Sequence, residues 1–297
     1  MPEPFGVAYG FPPDRRKAIL RAALFRAGYF AFVMASFFGL GMPGVGTGRG
    51  RSSTGQWCLG ILLTAFAPLW TRLCRRLEGF PQTSPAPTVR HSIAQVGYGL
   101  LIGLAIMGAC YLSLPLLVPG LTFALDGSMN AAALPASIAL FLLLAAAEEP
   151  GFRGYPMRRL LSSFGVWPTQ FIVGIMFCIY HIVIGWDREN ALAGTVLASF
   201  LFGMAALASP KGLALPVGVH AGVNVATWSI GGQGEAGIWK MLLDPSLAGR
   251  AQAVGRVSYG LFMLLGTAGL WTWNRRARSQ TILCARTIKR SGAAPTK

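Results

Sequence analysis

The sequence AAAEEPGFRGYPMRR, residues 145–159, places two adjacent carboxylates at the end of an apolar run that begins near Ala132. Arg153 follows Glu149 by four residues and Glu148 by five. A carboxylate inside the hydrocarbon of a bilayer costs about 2.5–3.5 kcal/mol on insertion scales, so an intramembrane glutamate indicates a function. The other interpretation is that the pair marks a helix end at the membrane surface. The polar residues in the rest of the chain distinguish between these two interpretations.

The composition predicts a membrane protein rather than a soluble one. Hydrophobic residues make up 53% of the chain and charged residues 12%, whereas an ordinary globular protein is about 25% charged. The mean hydropathy is +0.52. Several apolar runs reach the roughly 20 residues that a helix needs to cross a bilayer. We therefore predict an all-α fold, a polytopic integral membrane helical bundle of about eight transmembrane helices.

The apolar runs also predict how the chain is divided. The predicted spans are residues 27–46, 56–73, 93–118, 132–157, 168–187, 191–209, 212–231 and 256–274. They give a cytoplasmic N-terminal segment (1–26), a single transmembrane domain (27–274) and a basic cytoplasmic tail (275–297). The motif-bearing core lies at about 132–231, and the polar, Gly-rich stretch 231–255 is predicted to be a loop.

The net charge of +16 does not indicate nucleic-acid binding, because the basic residues lie in loops and tails rather than on one soluble face. If both termini are cytoplasmic, 20 of the 26 Lys and Arg residues face the cytoplasm, as the positive-inside rule requires. We expect a multi-pass protein of the plasma (inner) membrane with both termini in the cytoplasm. Its expected partners are membrane lipid and a peptide or membrane-protein substrate, with no nucleic acid.

Polar residues are rare within the spans, and they occur at three places with helical spacing. Of ten acidic residues, only the glutamate pair is expected to lie deep in the membrane. His181 follows Phe177 by four residues, and Asn224 follows His220 by four. Residues four apart share a helix face, so His220 and Asn224 can point into one cavity.

The three places also agree in depth. At 1.5 Å per residue, Glu148, His181 and His220 lie about 15, 16–21 and 14 Å from the inner boundary, near the middle of a core about 30 Å thick. This agreement requires the span 132–157 to continue past Pro150 with a kink. A single intramembrane histidine is often only an interhelical hydrogen-bonding residue, but residues at one depth on three spans are better explained as one site.

A second feature of the seventh span predicts close packing. Gly218 and Gly222 form a GxxxG pair on the helix face roughly opposite His220. Small residues at this spacing allow a neighbouring helix to approach closely in a membrane. The seventh span is therefore predicted to have one packing face and one polar face.

The chemistry of these residues suits hydrolysis of an amide. That reaction needs an activated water and a donor for the developing negative oxygen. A carboxylate removed from water can act as the base, Arg153 can keep the other carboxylate ionised, and His220 and Asn224 can donate to the oxyanion. Ser199 and Ser229 have no identifiable paired base, so direct attack by water is favoured over an acyl-enzyme.

Three motifs resemble those of a known family. EEPGFR at 148–153 resembles an EExxxR motif, FCIYH at 177–181 an FxxxH motif, and HAGVN at 220–224 an HxxxN motif. Together, and in this order, they are similar to the CAAX protease and bacteriocin-processing family, the type II CAAX prenyl endopeptidases. The resemblance covers about residues 132–231, one third of the chain.

The resemblance implies an eight-helix intramembrane endopeptidase of the glutamic type. The residues that it implies as catalytic are Glu148, His181, His220 and Asn224. The residues that it implies as accessory are Glu149, Arg153 and Phe177. Glu148 would act as general base on water with help from His181, and the other catalytic pair would stabilise the oxyanion. No cofactor is implied.

Two alternatives use the same residues differently. The site could hold a metal ion, with Glu148, His181 and His220 as ligands. Against this, the histidines lie on separate spans rather than in an HExxH-type pair, and the five cysteines show no metal-type spacing. The protein could also be a non-catalytic membrane immunity or partner-binding protein. A proton-coupled transporter is disfavoured because the sequence shows no internal repeat.

Overall fold

The structure is a computed structural model, and it confirms the predicted all-α membrane bundle. It describes residues 14–40, 53–79, 87–127, 133–209, 212–231 and 237–291. The first helices are α1 (Arg15–Gly39), α2 (Ser53–Leu77), α3 (Val89–Leu117), α4 (Ala133–Arg153) and α5 (Tyr155–Phe164). The later helices are α6 (Val166–Val183), the one-turn α7 (Arg188–Asn190), α8 (Val196–Ala208), α9 (Ala214–Ser229) and α10 (Ala248–Ser291). A π-helical turn, Ala191–Thr195, joins α7 to α8.

Seven helical segments of the described chain are long and apolar enough to cross a membrane. They correspond to the first six predicted spans and the eighth. The predicted span 212–231 corresponds to α9, which has 16 residues and is about 24 Å long at 1.5 Å per residue. This length falls short of a hydrocarbon core of about 30 Å, although α9 is packed within the bundle.

Helix α4 continues through Pro150, as the depth argument required. The proline lies inside the helix, which ends at Arg153. Gly154 then separates α4 from α5. A Cβ atom at Gly154 would lie 2.5 Å from the carbonyl oxygen of Pro150, so only glycine fits at this break. The fourth predicted span therefore consists of two helices, α4 and the beginning of α5, rather than one continuous helix.

Helix α1 extends beyond the predicted first span at its N-terminal end. Helix α1 begins at Arg15 instead of residue 27, because Asp14 caps it by accepting a hydrogen bond from the backbone N–H of Lys17 at 3.0 Å. The helix ends at Gly39, and residues 41–46 of the predicted span lie outside the described residues. The basic residues that precede the apolar run are therefore helical.

A small β-sheet replaces part of the predicted 231–255 loop. Strand β2 (Trp239–Leu242) pairs antiparallel with β1 (Thr122–Leu125), so that Thr122 lies opposite Leu242. The two strands come from parts of the chain that are far apart in sequence, and hydrophobic periodicity detects only local order. Helix α10 also begins within this stretch, at Ala248.

The predicted glycine face of α9 is confirmed, and it packs against α3. Cβ atoms at Gly218 and Gly222 would lie 2.2 Å and 2.4 Å from the carbonyl oxygens of Val96 and Leu100. Helix α3 contributes glycines at the same spacing: Gly99 and Gly103. The two backbones are in direct contact, and the polar face of α9 is left to turn toward α4.

A buried charged cluster outside the candidate site was not predicted. The side chain of Glu78, which was not among the acidic residues expected to lie deep, is only 6% exposed. It accepts a hydrogen bond from the Tyr155 hydroxyl at 2.7 Å and lies 3.5 Å from Arg21 Nε and 3.6 Å from Arg159 Nε. These contacts join α1, the end of α2 and α5, so the cluster anchors the first two helices beside the motif helices.

Candidate active site

Helices α4 and α9 bring the glutamate pair into contact with His220. The Nδ1 atom of His220 lies 2.9 Å from Oε1 of Glu149. Its Nε2 atom lies 3.9 Å from Oε2 of Glu148. Because a carboxylate accepts, the Nδ1–H group donates to Glu149. The imidazole therefore spans both carboxylates, with one ring nitrogen turned toward each.

The two glutamates differ in exposure. The Glu149 side chain is fully buried, whereas the Glu148 side chain is 17% exposed. A carboxylate that activates water must be reachable by water, and a fully buried one needs charged or hydrogen-bonding partners. The geometry therefore separates one glutamate that is partly exposed from one that is held inside the protein.

Arg153 supplies the compensating charge for the buried glutamate. Its Nη1 atom lies 3.1 Å from Oε1 of Glu149, and its Nη2 atom donates to the Ser199 hydroxyl oxygen on α8 at 2.9 Å. Arg153 and Ser199 are both buried. A buried charge requires such partners to avoid a large desolvation cost. Arg153 thus links α4 to α8 and fixes Glu149 one turn away.

Aromatic rings enclose this ion pair. The Arg153 guanidinium carbon lies 4.4 Å from the centroid of Phe177 and 5.2 Å from that of Phe202. The Phe202 ring also stacks on His220 at 4.4 Å. Cation–π contacts strengthen when they are shielded from water. Phe177, predicted as accessory, therefore contacts Arg153 directly, and the rings keep water away from the Glu149 side of the site.

His181 lies on α6, beside the same aromatic group. Its Nδ1 atom is 2.8 Å from the carbonyl oxygen of Phe177, so Nδ1 carries the proton and Nε2 is the remaining ring nitrogen. Its ring packs edge-on against Phe177 at 4.4 Å, and Phe177 lies 6.0 Å edge-on from His220. The hydrogen-bond partner of His181 is therefore a main-chain carbonyl one turn earlier in its own helix.

Asn224 lies one helical turn after His220 on α9 and is partly exposed. Positions four apart on a helix differ by about 40° around the axis. The predicted shared face of His220 and Asn224 is therefore present. The glycine contacts with α3 hold that face in a fixed direction.

Two residues of the site were not predicted from the sequence. Ser199 was considered only as a nucleophile, but its hydroxyl accepts a hydrogen bond from Arg153. Phe202 was not considered, although it covers one face of His220. Both lie on α8, an almost wholly apolar helix, and no motif or spacing distinguishes them there.

The described residues contain no group of three or more His, Cys, Asp or Glu side chains arranged to hold a metal ion. The donor chemistry is nevertheless compatible with one. In His181 and His220, Nδ1 is bonded to a carbonyl or a carboxylate, which is also how metal-binding histidines are oriented. The metal alternative therefore has to be tested by experiment.

Comparison with known proteins identifies the motif-bearing region. Residues 130–226 match the family model described as type II CAAX prenyl endopeptidase, Rce1-like. The family resemblance is confirmed over this region. The match includes all three motifs and the helices that carry them, while α1, α2, α3 and α10 lie outside it. A search of curated proteins found no match to the chain.

The match and the helices together establish a general class. The protein is a multi-pass membrane protein. A match to this family implies a protease, hence a hydrolase, that acts on peptide or protein substrates in a membrane.

Proposed function

We propose that the protein is an intramembrane endopeptidase that hydrolyses a peptide bond with a water molecule activated by Glu148. The observation that carries the proposal is the contact of His220 with both glutamates, only one of which is partly exposed. A general base must be able to reach the proton that it removes. Glu148 satisfies this condition, and Glu149 is occupied by Arg153 and His220.

The proposed reaction proceeds through a tetrahedral intermediate. Water attacks the carbonyl carbon of the scissile bond and gives one proton to Glu148, while the carbonyl oxygen becomes negative. The carbon–nitrogen bond then breaks, and Glu148 returns the proton to the leaving amine. The immediate products are a carboxylic acid and an amine, which exchange a proton to give a carboxylate and an ammonium group, so that atoms and charges balance without a further reactant.

His220 and Asn224 are proposed to stabilise the negative oxygen. The Nδ1–H group of His220 donates to Glu149, and the proposal requires the ring to carry a proton on Nε2 as well. The Nε2–H group of that ring would donate to the oxyanion, together with the Asn224 amide one turn away. His181, with Nδ1 held by a carbonyl, would present Nε2 to the water or the substrate.

Glu149, Arg153 and Phe177 are proposed to hold these groups in place. The Arg153–Glu149 ion pair is shielded by Phe177 and fixes the carboxylate that orients His220. No direct contact with the substrate is assigned to these three residues.

The function is tested by comparing the membrane proteomes of cells with the wild-type protein and with Glu148→Ala. We expect an uncleaved precursor to accumulate in the variant, with its cleavage site identified from the wild-type product. A variant proteome identical to the wild type, with the binding of a partner protein intact, would favour a non-catalytic membrane immunity or partner-binding protein.

We further propose that the protein resides in the plasma (inner) membrane with both termini in the cytoplasm. This orientation needs an even number of crossings, so the short helix α9 must count as one beside the seven longer segments. Alkaline phosphatase fused after residue 297 should be inactive and green fluorescent protein there bright. Phosphatase fused after Asp126, on the opposite side, should be active. An active C-terminal phosphatase would overturn either the eight crossings or the proposed orientation.

Catalysis is proposed to proceed without a metal ion, and this is a separate prediction. Glu148, His181 and His220 could supply three zinc ligands, but His220 Nε2 and Glu148 are assigned here to proton transfer and oxyanion binding. We expect the purified protein to hold no stoichiometric zinc and to retain cleavage of the precursor after chelation and dialysis. Stoichiometric zinc, with activity lost on its removal and restored on its return, would make Glu148 a ligand instead of the base.

A further inference from the structure

Helix α1 contacts α4 on both sides of the glutamate pair, although α1 lies outside the region that matches the family model. The hydroxyl of Tyr29 donates a hydrogen bond to the carbonyl oxygen of Ala147, the residue before Glu148. The ring of Tyr29 occupies the space beside Gly151, where a Cβ atom would lie 2.6 Å from it. Tyr29 is almost fully buried.

The turn of α4 that Tyr29 contacts includes Pro150. Pro150 has no N–H group, so the carbonyl of Ala146 lacks its usual donor four residues later. A helix turn that has lost an internal hydrogen bond is a site of bending. Contacts from outside the helix therefore decide the direction in which the glutamates point.

The ring of Tyr29 is itself held by aromatic neighbours. Phe25, on the preceding turn of α1, stacks parallel to it at 6.2 Å, and Phe66 of α2 lies at 6.1 Å. Aromatic pairs of this kind add to the stabilisation that burial alone provides. The hydroxyl is therefore presented to Ala147 by a ring with little freedom to move.

Arg26 makes a second contact between the same helices. Its guanidinium carbon lies 4.0 Å over the ring of Phe152, which meets Phe177 edge-on at 4.8 Å. Arg26 is 9% exposed, and its Nε and Nη2 atoms have no hydrogen-bond partner among the described residues. The stack on Phe152 is thus a principal contact of a buried cation. Since Phe177 contacts Arg153, the chain of contacts runs from α1 to the ion pair of Glu149.

We propose that Tyr29 and Arg26 are positioning residues, which orient the turn of α4 that carries Glu148 and Glu149 toward His220. The proposal rests on the function proposed above. Tyr29 acts through the backbone on either side of the pair, and Arg26 acts through Phe152 and Phe177. Neither residue is required to touch the substrate.

The first test uses Tyr29→Phe, which removes the hydroxyl and keeps the ring. Tyr259→Phe is the matched control, because Tyr259 also donates to a main-chain carbonyl, that of Gly194, at 2.9 Å. The full-length proteins in lipid nanodiscs are treated with dicyclohexylcarbodiimide, which modifies carboxyl groups in apolar surroundings, and labelling is measured by mass spectrometry. We expect Glu149 to react several-fold faster in Tyr29→Phe than in the wild type, because its ion pair loosens. The control should match the wild type.

The second readout is turnover of the precursor that accumulates with Glu148→Ala. We expect kcat to fall about tenfold in Tyr29→Phe, which corresponds to about 1.4 kcal/mol, with KM unchanged. Arg26→Met should lower kcat in the same way. Arg26→Lys should not restore it, because an ammonium lacks the planar face that stacks on Phe152.

Each outcome supports or overturns the proposal. Unchanged labelling of Glu149 in Tyr29→Phe overturns it, and so does changed labelling with normal kcat. If Tyr29→Phe does not fold, Gly151→Ala replaces it, because the added methyl group displaces the ring while the hydroxyl remains. Cleavage by Glu148→Ala would refute the proposed function, whereas an inactive Glu148→Ala beside a fully active Tyr29→Phe would refute only the role of α1.

Discussion

Glu148→Gln is expected to lose cleavage of the precursor while the protein remains folded. Glutamine keeps the size of the side chain but cannot take a proton from water. General base catalysis contributes about 10²–10⁴-fold to a rate, so we expect a loss of that order in kcat. The Glu148 side chain is partly exposed, and the direct ion pair of Arg153 is with Glu149 rather than with Glu148. The melting temperature should therefore stay close to that of the wild type.

Glu149→Gln should give the opposite pattern. It leaves the Arg153 guanidinium buried without its carboxylate, and breaking a buried ion pair in this way costs about 3–5 kcal/mol. We expect a clear fall in melting temperature, with any loss of kcat following from it. Turnover and thermal unfolding of the purified protein measure both effects.

An exposed glutamate supplies the control for both variants. Glu189 is 76% exposed in its side chain and pairs with Arg256 at the surface. Exposed ion pairs contribute about 0–1 kcal/mol, so Glu189→Gln should match the wild type in turnover and stability. An inactive, stable Glu149→Gln beside a fully active Glu148→Gln would exchange the roles assigned to the two carboxylates.

The parts of the site that could be predicted are the pairs of residues that lie close together in sequence. The pair Glu149 and Arg153 is four residues apart, as are His220 and Asn224, and helical geometry alone places each pair on one face. The contact between α4 and α9 was inferred only from agreement in depth. That inference succeeded for Glu148 and His220 because few polar residues compete for partners within the apolar spans.

The missed parts depend on partners that are far apart in sequence. Ser199 lies in the apolar helix α8. Its role comes from a hydrogen bond donated by Arg153, which lies on α4. The buried position of Glu78 depends on α1 and α5, which meet only in the folded protein. Strand pairing of β1 with β2 is long-range in the same way. Periodicity carries no information about such contacts.

A second large effect on stability is expected at the glycines between α3 and α9. In Gly222→Val, the Cβ atom alone would lie 2.4 Å from the carbonyl oxygen of Leu100 and 3.0 Å from the Cα atom of Gly103. Both atoms belong to the backbone of α3, which cannot move aside as a flexible side chain can. The helices must separate, and the close packing that joins them in a membrane is lost.

Gly108→Ala is the matched control on α3. Apart from its chain neighbours and the adjacent backbone of α3, no atom of the described structure lies within 4 Å of a Cβ atom at this position. Alanine also favours a helix over glycine by up to about 1 kcal/mol, so the control should be neutral or slightly stabilising. Overpacking of a fixed contact costs about 1–3 kcal/mol and occasionally more, and we expect Gly222→Val at or above the upper end of that range.

The same substitution should also reduce activity, because α9 carries the glycine contacts on one face and His220 on the other. A helix displaced from α3 moves toward α4, and the 2.9 Å contact between His220 and Glu149 cannot be kept. Thermal unfolding in detergent and turnover of the precursor should both be impaired in Gly222→Val and normal in Gly108→Ala. A Gly222→Val protein with wild-type melting temperature and kcat would show that α3 does not set the position of His220.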